Sequence, residues 1–261
     1  MEHERWGLRP IRIGGGTVEC DAGGIYRLGL PSLDLGYADA QLDDTAVRPR
    51  AELRHRPPFR MRLRARVSTP RPVGTLGFGL WNDPFAFSLG FAGASRKLPA
   101  WPQALWFFYG SPPNDLAYAE PGVPDGWKAA SLRSPRMPGL AVAAGGVGLM
   151  ALRPFRKLQG RAVRKALSLI QASEVRIDVQ LAEWHTYELT WRQAGAEFRV
   201  DGATVLRVAR PPDPPLGFVA WIDNQFAIRS PGAGVRFGVL PVLEPQFMEL
   251  ADLVLEDSSE A

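Results

Sequence analysis

Three short stretches set carboxylates and amides beside aromatic rings: Trp81-Asn82-Asp83, Tyr109 followed by Asn114-Asp115, and Trp221-Ile222-Asp223-Asn224-Gln225. An indole or phenol ring offers a flat apolar face to a sugar ring, and the polar groups bond at its rim. The combination points to ligand capture by Trp81, Asn82, Trp106, Tyr109, Trp221, Asn224 and Gln225. Asp223 and Asp83 are the carboxylates to test first as acid or base groups if there is turnover. The same residue types also serve plain structure, since Asn and Asp cap turns and Trp fills cores. The third stretch argues hardest for a site, because three consecutive amide or acid side chains within an apolar strand are costly without partners. His3, His55 and His185 lie far apart and Cys20 is the only cysteine, so neither a metal site nor an intrachain disulfide is expected, and no cofactor is implied. His185 reads as a structural hydrogen-bonding residue.

These groups have to be positioned by strands. From Trp184 to Arg207 the chain alternates apolar and polar residues, turns at Gln193-Ala194-Gly195, alternates again and turns at Asp201-Gly202, which is the pattern of half-buried antiparallel hairpins. Phe59 to Val67 predicts a strand with Phe59, Met61, Leu63, Ala65 and Val67 on one face and Arg60, Arg62, Arg64 and Arg66 on the other. That arginine row is either a solvated outer face or an anion-binding wall. Further strands are expected over Gly24 to Leu30, Tyr37 to Leu42, Gly74 to Trp81, Ala104 to Tyr109, Trp127 to Leu132, Val235 to Leu240 and Phe247 to Glu256, with Leu216 to Arg229 interrupted at Asp223-Asn224-Gln225. Leu140 to Leu152 is a continuous apolar run too short to span a bilayer. Behind it, Phe155, Leu158, Ala162, Ala166 and Leu169 fall at helical spacing opposite Arg153, Lys157, Arg161 and Arg164, which predicts a basic amphipathic helix.

The run His-Thr-Tyr-Glu-Leu-Thr-Trp from His185, with Phe-Arg-Val-Asp-Gly from Phe198, resembles the scaffold hairpin of glycoside hydrolase family 16 in the concanavalin A-like lectin/glucanase superfamily. Phe247 to Glu256 is similar to the closing strand of that family, which runs through the middle of the sandwich. The resemblance implies an all-β jelly-roll sandwich of two antiparallel sheets; length and composition read as a single domain over 1–261, and the apolar run with the basic helix reads as a helical insertion around 140–172 that the resembled fold does not require. The resemblance also implies a strand carrying Glu-x-Asp-x-(x)-Glu, whose carboxylates perform double displacement. The matching strand, Ala104 to Tyr109, holds no carboxylate and the motif occurs nowhere, so family 16 hydrolysis is expected to be absent.

With 46% hydrophobic and 22% charged residues over 261 positions, the composition is globular. The net charge is only +4, yet Arg48 to Arg71 holds nine arginines against one acid. No nucleic-acid motif accompanies them, so nucleic acid is not an expected partner. The start MEHERWGLRPIRIGG lacks an apolar signal core, which reads as cytoplasmic. Carbohydrate binding or carbohydrate-active chemistry is the leading functional expectation. The alternatives are a cleft rebuilt for an apolar small molecule or lipid, with 140–170 as lid or membrane-docking element, and an interaction module without a small-molecule site.

Overall fold

Alternation with a period of two puts most of this chain into strands. The computed structural model describes residues 7–45, 48–83, 100–119, 121–151, 155, 158, 160–162, 165, 168–230 and 234–257. The chain opens with β1 (Arg9–Ile13), β2 (Thr17–Cys20), β3 (Tyr26–Leu30) and β4 (Asp39–Asp43). A 3-10 turn at Arg50–Glu52 leads to β5 (Phe59–Val67), β6 (Thr75–Trp81), β7 (Ala104–Gly110) and β8 (Gly126–Arg133). After α1 (Gly139–Ala151) come β9 (Gln171–Arg176), β10 (His185–Arg192), β11 (Gly195–Val200), β12 (Ala203–Val208) and β13 (Gly217–Asp223). The last strands are β14 (Gln225–Ser230), β15 (Gly234–Val239) and β16 (Gln246–Asp257).

Two seven-stranded antiparallel sheets result. The front sheet runs β1-β4-β13-β6-β7-β8-β9 and the back sheet β12-β11-β10-β5-β16-β3-β2, while β14 and β15 form a separate ribbon. This is a jelly-roll sandwich, as the sequence resemblance implies, with the helical insertion read from the apolar run, and β16 lies inside its sheet between β5 and β3. Strands β1, β2 and β9 were not expected: the first two are short and largely exposed, with little apolar alternation to mark them.

The core closes between the sheets. From the front come Phe78 and Phe107, and from the back Tyr187 and Phe198, with ring centroids 5.1 Å apart for Phe78–Tyr187 and 5.3 Å for Phe107–Phe198 in edge-to-face geometry. The β11–β12 turn places Asp201 and Gly202 both at positive φ, the primed geometry that suits a two-residue hairpin. Asp201 then accepts hydrogen bonds from the Thr186 N–H at 2.8 Å and pairs with His185 Nδ1 at 2.7 Å, which gives His185 the structural role expected of it.

The outer face of the back sheet settles the arginine row. Arg60 and Arg62 both meet Glu188, Arg64 meets Asp252, and Arg66 shares Glu249 with Arg27. The Arg64 and Arg66 guanidinium groups also lie over the Trp184 ring, at 5.1 and 4.9 Å from its centroid. Each arginine of the row is thus ion-paired, five arginines counting Arg27 sharing three carboxylates on the outer surface. Exposed pairs of this kind each add at most about 1 kcal/mol.

The insertion differs from its expected form. Helix α1 is apolar all round, Leu140 and Val147 are 71% and 68% exposed, and a Cβ on Gly145, Gly146 or Gly148 would meet nothing within 4 Å. Beyond it, Phe155, Leu158 and Leu169 are exposed as well, so they do not form a face packed on the sandwich. Arg153, Lys157, Arg164 and Ala166 lie outside the described residues.

Candidate functional site

On β6 the residues Thr75, Gly77, Gly79 and Trp81 alternate outward, away from the core. Register sets Gly77 between Trp221 of β13 and Phe108 of β7, and Gly79 between Val219 and Trp106. A Cβ on Gly77 would fall 2.8 Å from Trp221 Cη2, and one on Gly79 would fall 2.8 Å from Trp106 Cβ. Without side chains at these two places, the rings of the neighbouring strands meet across β6. Trp106 lies 5.6 Å from Trp221, 5.8 Å from Phe108 and 5.7 Å from Trp81, centroid to centroid. The result is an aromatic platform on the outer face of the front sheet.

A pair of carboxylates closes one end of it. Asp39 of β4 stands opposite Asp223 of β13 in register, and both are buried. Asp223 Oδ1 accepts from Thr75 Oγ1 at 2.8 Å and from the Gln225 N–H at 3.0 Å. Thr75 in turn accepts from Trp221 Nε1 at 3.1 Å, which ties the acid to the platform. Burial pushes the Asp223 carboxyl up to about 6, against those hydrogen bonds. Asp39 is held well above the usual carboxylate range by burial and by the charges of Asp223 and Asp43, and its side chain has no hydrogen bond among the described residues. Tyr37 stands beside the same pair, bonds Gln225, and is likewise raised by burial. Burial thus raises all three groups at this end of the platform above their ordinary ranges.

The platform is covered. Trp106, Phe108 and Trp221 are each below 10% exposed, and Leu116, Tyr118 and Ile170 pack against them. The segment bearing Tyr118 is anchored by a buried ion pair, Lys128 Nζ to Glu174 Oε2 at 2.8 Å, with both side chains fully buried. Glu174 Oε1 accepts the N–H groups of Tyr118, Ala119 and Val123, and Lys128 donates to the carbonyls of Leu116 and Val123. Two side chains from β8 and β9 thus hold 116–123 by hydrogen bonds, beside the ring contacts of Tyr118 with Trp106 and Phe108.

Of the residues singled out from the sequence, Trp81, Trp106, Trp221 and Asp223 do share this face. Tyr109 does not: alternation along β7 turns it, with Leu105 and Phe107, into the core between the sheets. Asn82 and Asn224 are spent on structure. Asn82 holds the Trp101 carbonyl and the Gln103 N–H, while Asn224 holds the Ala38 N–H and the carbonyls of Gly36 and Leu240. Gln225 stays near the pair through Tyr37. Asp83 sits past the end of β6 at positive φ, its carbonyl accepting from Arg50, and is not part of the acid pair. Sequence reasoning missed Asp39, Thr75, Tyr118, Lys128 and Glu174. The signal for Asp39 was present, since Asp39, Gln41 and Asp43 alternate along β4 as a polar face in a strand whose other residues are apolar.

No family model matches the sequence, and no curated protein is similar to it in sequence. Solved structures are similar in fold. A laminarinase from Flavobacterium sp. UMI-01 aligns with a TM-score of 0.48 at 12% identity, over 91% of this chain and 80% of that one. The carbohydrate recognition domain of Emp46p, in a potassium-bound form, aligns at 0.48 and 12% over 100% and 93%. A GlcNAcα1-4Gal-releasing endo-β-galactosidase from Clostridium perfringens aligns at 0.46 and 11% over 95% of this chain, which spans 59% of the enzyme's length. These are likenesses of fold at low identity, and the two seven-stranded antiparallel sheets of this chain are those of a jelly-roll sandwich.

Proposed function

We propose that the outer face of the front sheet binds a neutral saccharide, its rings on the Trp106–Phe108–Trp221 platform once the covering segment 116–123 moves aside, and its hydroxyls toward Asp39 and Asp223. The observation that carries this reading is a pair of unused donors. The indole N–H groups of Trp81 and Trp106 are buried in the platform with no hydrogen-bond partner among the described residues. The indole N–H groups of Trp127 and Trp191 in the core are unpartnered among the described residues as well, so it is the position of the Trp81 and Trp106 donors, beside stacking surfaces and the Asp39–Asp223 pair, that fits a ligand rich in hydroxyl oxygens. Raised carboxyls suit hydroxyl groups and disfavour an anionic sugar. Binding without family 16 hydrolysis is the expected mode, since β7 presents Ala104, Trp106 and Phe108 to this face and no carboxylate.

Calorimetry against neutral oligosaccharides tests this. Trp106→Phe keeps a ring but deletes one donor and is expected to weaken binding about tenfold, the scale of one well-made hydrogen bond. Absence of binding to any neutral glycan, together with an apolar compound recovered by solvent extraction of the purified protein, would transfer the face to the apolar-ligand reading.

A second reading, for the insertion, rests on α1. An exposed apolar helix is flanked by charge of one sign: from Arg133 to Lys165 the sequence has eight Lys and Arg and no Asp or Glu. No described helix is long and apolar enough to cross a membrane. Shallow insertion into an anionic lipid surface would bury the apolar residues and neutralise the basic ones. Sedimentation with phosphatidylserine vesicles is expected at low salt and not with phosphatidylcholine alone. Leu140→Asp with Val147→Asp should abolish it, and retained sedimentation of that variant would refute the reading.

A further inference from the structure

The arginines that are ion-paired on the back sheet have counterparts elsewhere that are not. At the end of the sandwich where β10 turns into β11, a cavity of about 430 Å³ opens between that turn, the segment from Ala209 to Pro214, the end of β8, and the approach to β5. Four of its lining residues are arginines, Arg56, Arg133, Arg192 and Arg210, against a single carboxylate, Asp213. Asp213 is already engaged, by Arg133 Nη2 at 3.2 Å and by Arg136 Nε at 3.6 Å. The cavity therefore keeps an excess of positive charge.

We propose that this cavity is a binding site for a small molecule bearing a tetrahedral oxyanion, a phosphate or sulfate ester, separate from the platform on the front sheet. Two of its arginines are held in place by the protein itself. Arg133 donates to the Pro211 carbonyl at 3.2 Å, and Arg56 donates to the carbonyls of Leu53 and Ala51 at 3.2 and 3.4 Å. Arg192 and Arg210 are exposed and make no ion pair or hydrogen bond among the described residues, so their planar donor forks are free to close on an anion. The walls are stiff. Trp191 is fully buried at the base, and four prolines, Pro57, Pro211, Pro212 and Pro214, line the rest. Fixed walls and two anchored guanidinium groups lower the ordering cost of capture. The volume exceeds what a bare anion fills and falls in the ordinary range of small-molecule sites, which leaves room for a sugar-sized body behind the oxyanion. Arginine excess alone would also mark a solvated surface, as on β5. What differs here is concavity, with four guanidinium groups around one space and the only carboxylate consumed at the rim.

The probes are inorganic phosphate and inorganic sulfate, each titrated at constant ionic strength against chloride and followed by calorimetry and by the arginine Nε–H resonances of the intact protein. Saturable binding that shifts the Arg56, Arg133, Arg192 and Arg210 signals is expected. In Arg192→Gln/Arg210→Gln, whose side chains are exposed and whose loss leaves the fold intact, affinity should fall at least about tenfold. Arg60→Gln, on the ion-paired back face, should bind as the parent does. Response to phosphate alone would identify a phosphate site, and response to both a general oxyanion site. A response that never saturates, or one equal in the double variant and the parent, would overturn the proposal.

Discussion

Glu174→Gln is expected to destabilise the protein by about 3–5 kcal/mol, the usual cost of stranding one partner of a buried ion pair. At this chain length that corresponds to a fall in melting temperature on the order of 10 °C. The reason lies in what surrounds Lys128. Its ammonium lies 4.4 Å from the Tyr118 ring centroid and is otherwise served by two carbonyls and the lost carboxylate. Burial already draws this lysine below its ordinary range, and the hydrogen bond and charge of Glu174 oppose that shift. With Glu174 neutral, the lysine would remain charged without compensation or give up its proton. Lys128→Met with Glu174→Gln removes the stranded charge and should recover part of the loss, so thermal unfolding of the single and double variants separates charge from packing. Equal melting of Glu174→Gln and the parent would show that the anchor contributes nothing. The substitution has a functional side as well, since the three N–H groups on Glu174 hold Tyr118 against the platform.

The second large effect concerns pH. Because the folded carboxyl of Asp223 sits near 6, above its unfolded value of about 3.8, the native state binds the proton more tightly than the unfolded chain does. Stability from this group is therefore greatest below about pH 4, declines as pH rises toward 6, and is level above that. A shift of about two units corresponds to up to about 3 kcal/mol. Asp223→Asn keeps an oxygen for Thr75 and for the Gln225 N–H but carries no charge, so it is expected to match the parent near pH 4 and to exceed it by up to about 3 kcal/mol at pH 7–8. Urea unfolding at a series of pH values reads this directly, and parallel curves for the two proteins would remove Asp223 as the source of the slope. If the same substitution raises stability and weakens saccharide capture, the acid is kept for binding at the expense of the fold.

How much of this was legible beforehand depends on the range of the interaction responsible. The strands β5, β10, β11 and β16 could be read from the chain, because a period of two is a local property and each of these strands buries one face. The strand Ala104 to Tyr109 could be read as holding no carboxylate, and Ala104, Trp106 and Phe108 do cluster on one face. The insertion was visible as an apolar run, but its exposure was not, because burial is a property of neighbours and the run has none in its own sequence. For the site, composition indicated aromatic rings beside acids, and Trp81, Trp106, Trp221 and Asp223 were found on that basis. What only the tertiary structure decided is which face each residue takes and whom it meets. Tyr109 goes to the core because it is one residue out of phase with Phe108. Asn82 and Asn224 bind backbone segments that pairing brings near, and Asp39 meets Asp223 across 184 positions of sequence because β4 and β13 are neighbours in the sheet. Strand formation follows from local pattern, whereas a site assembled from β4, β6, β7 and β13 follows from sheet order, and sheet order is set by non-local pairing that no single stretch of the chain encodes.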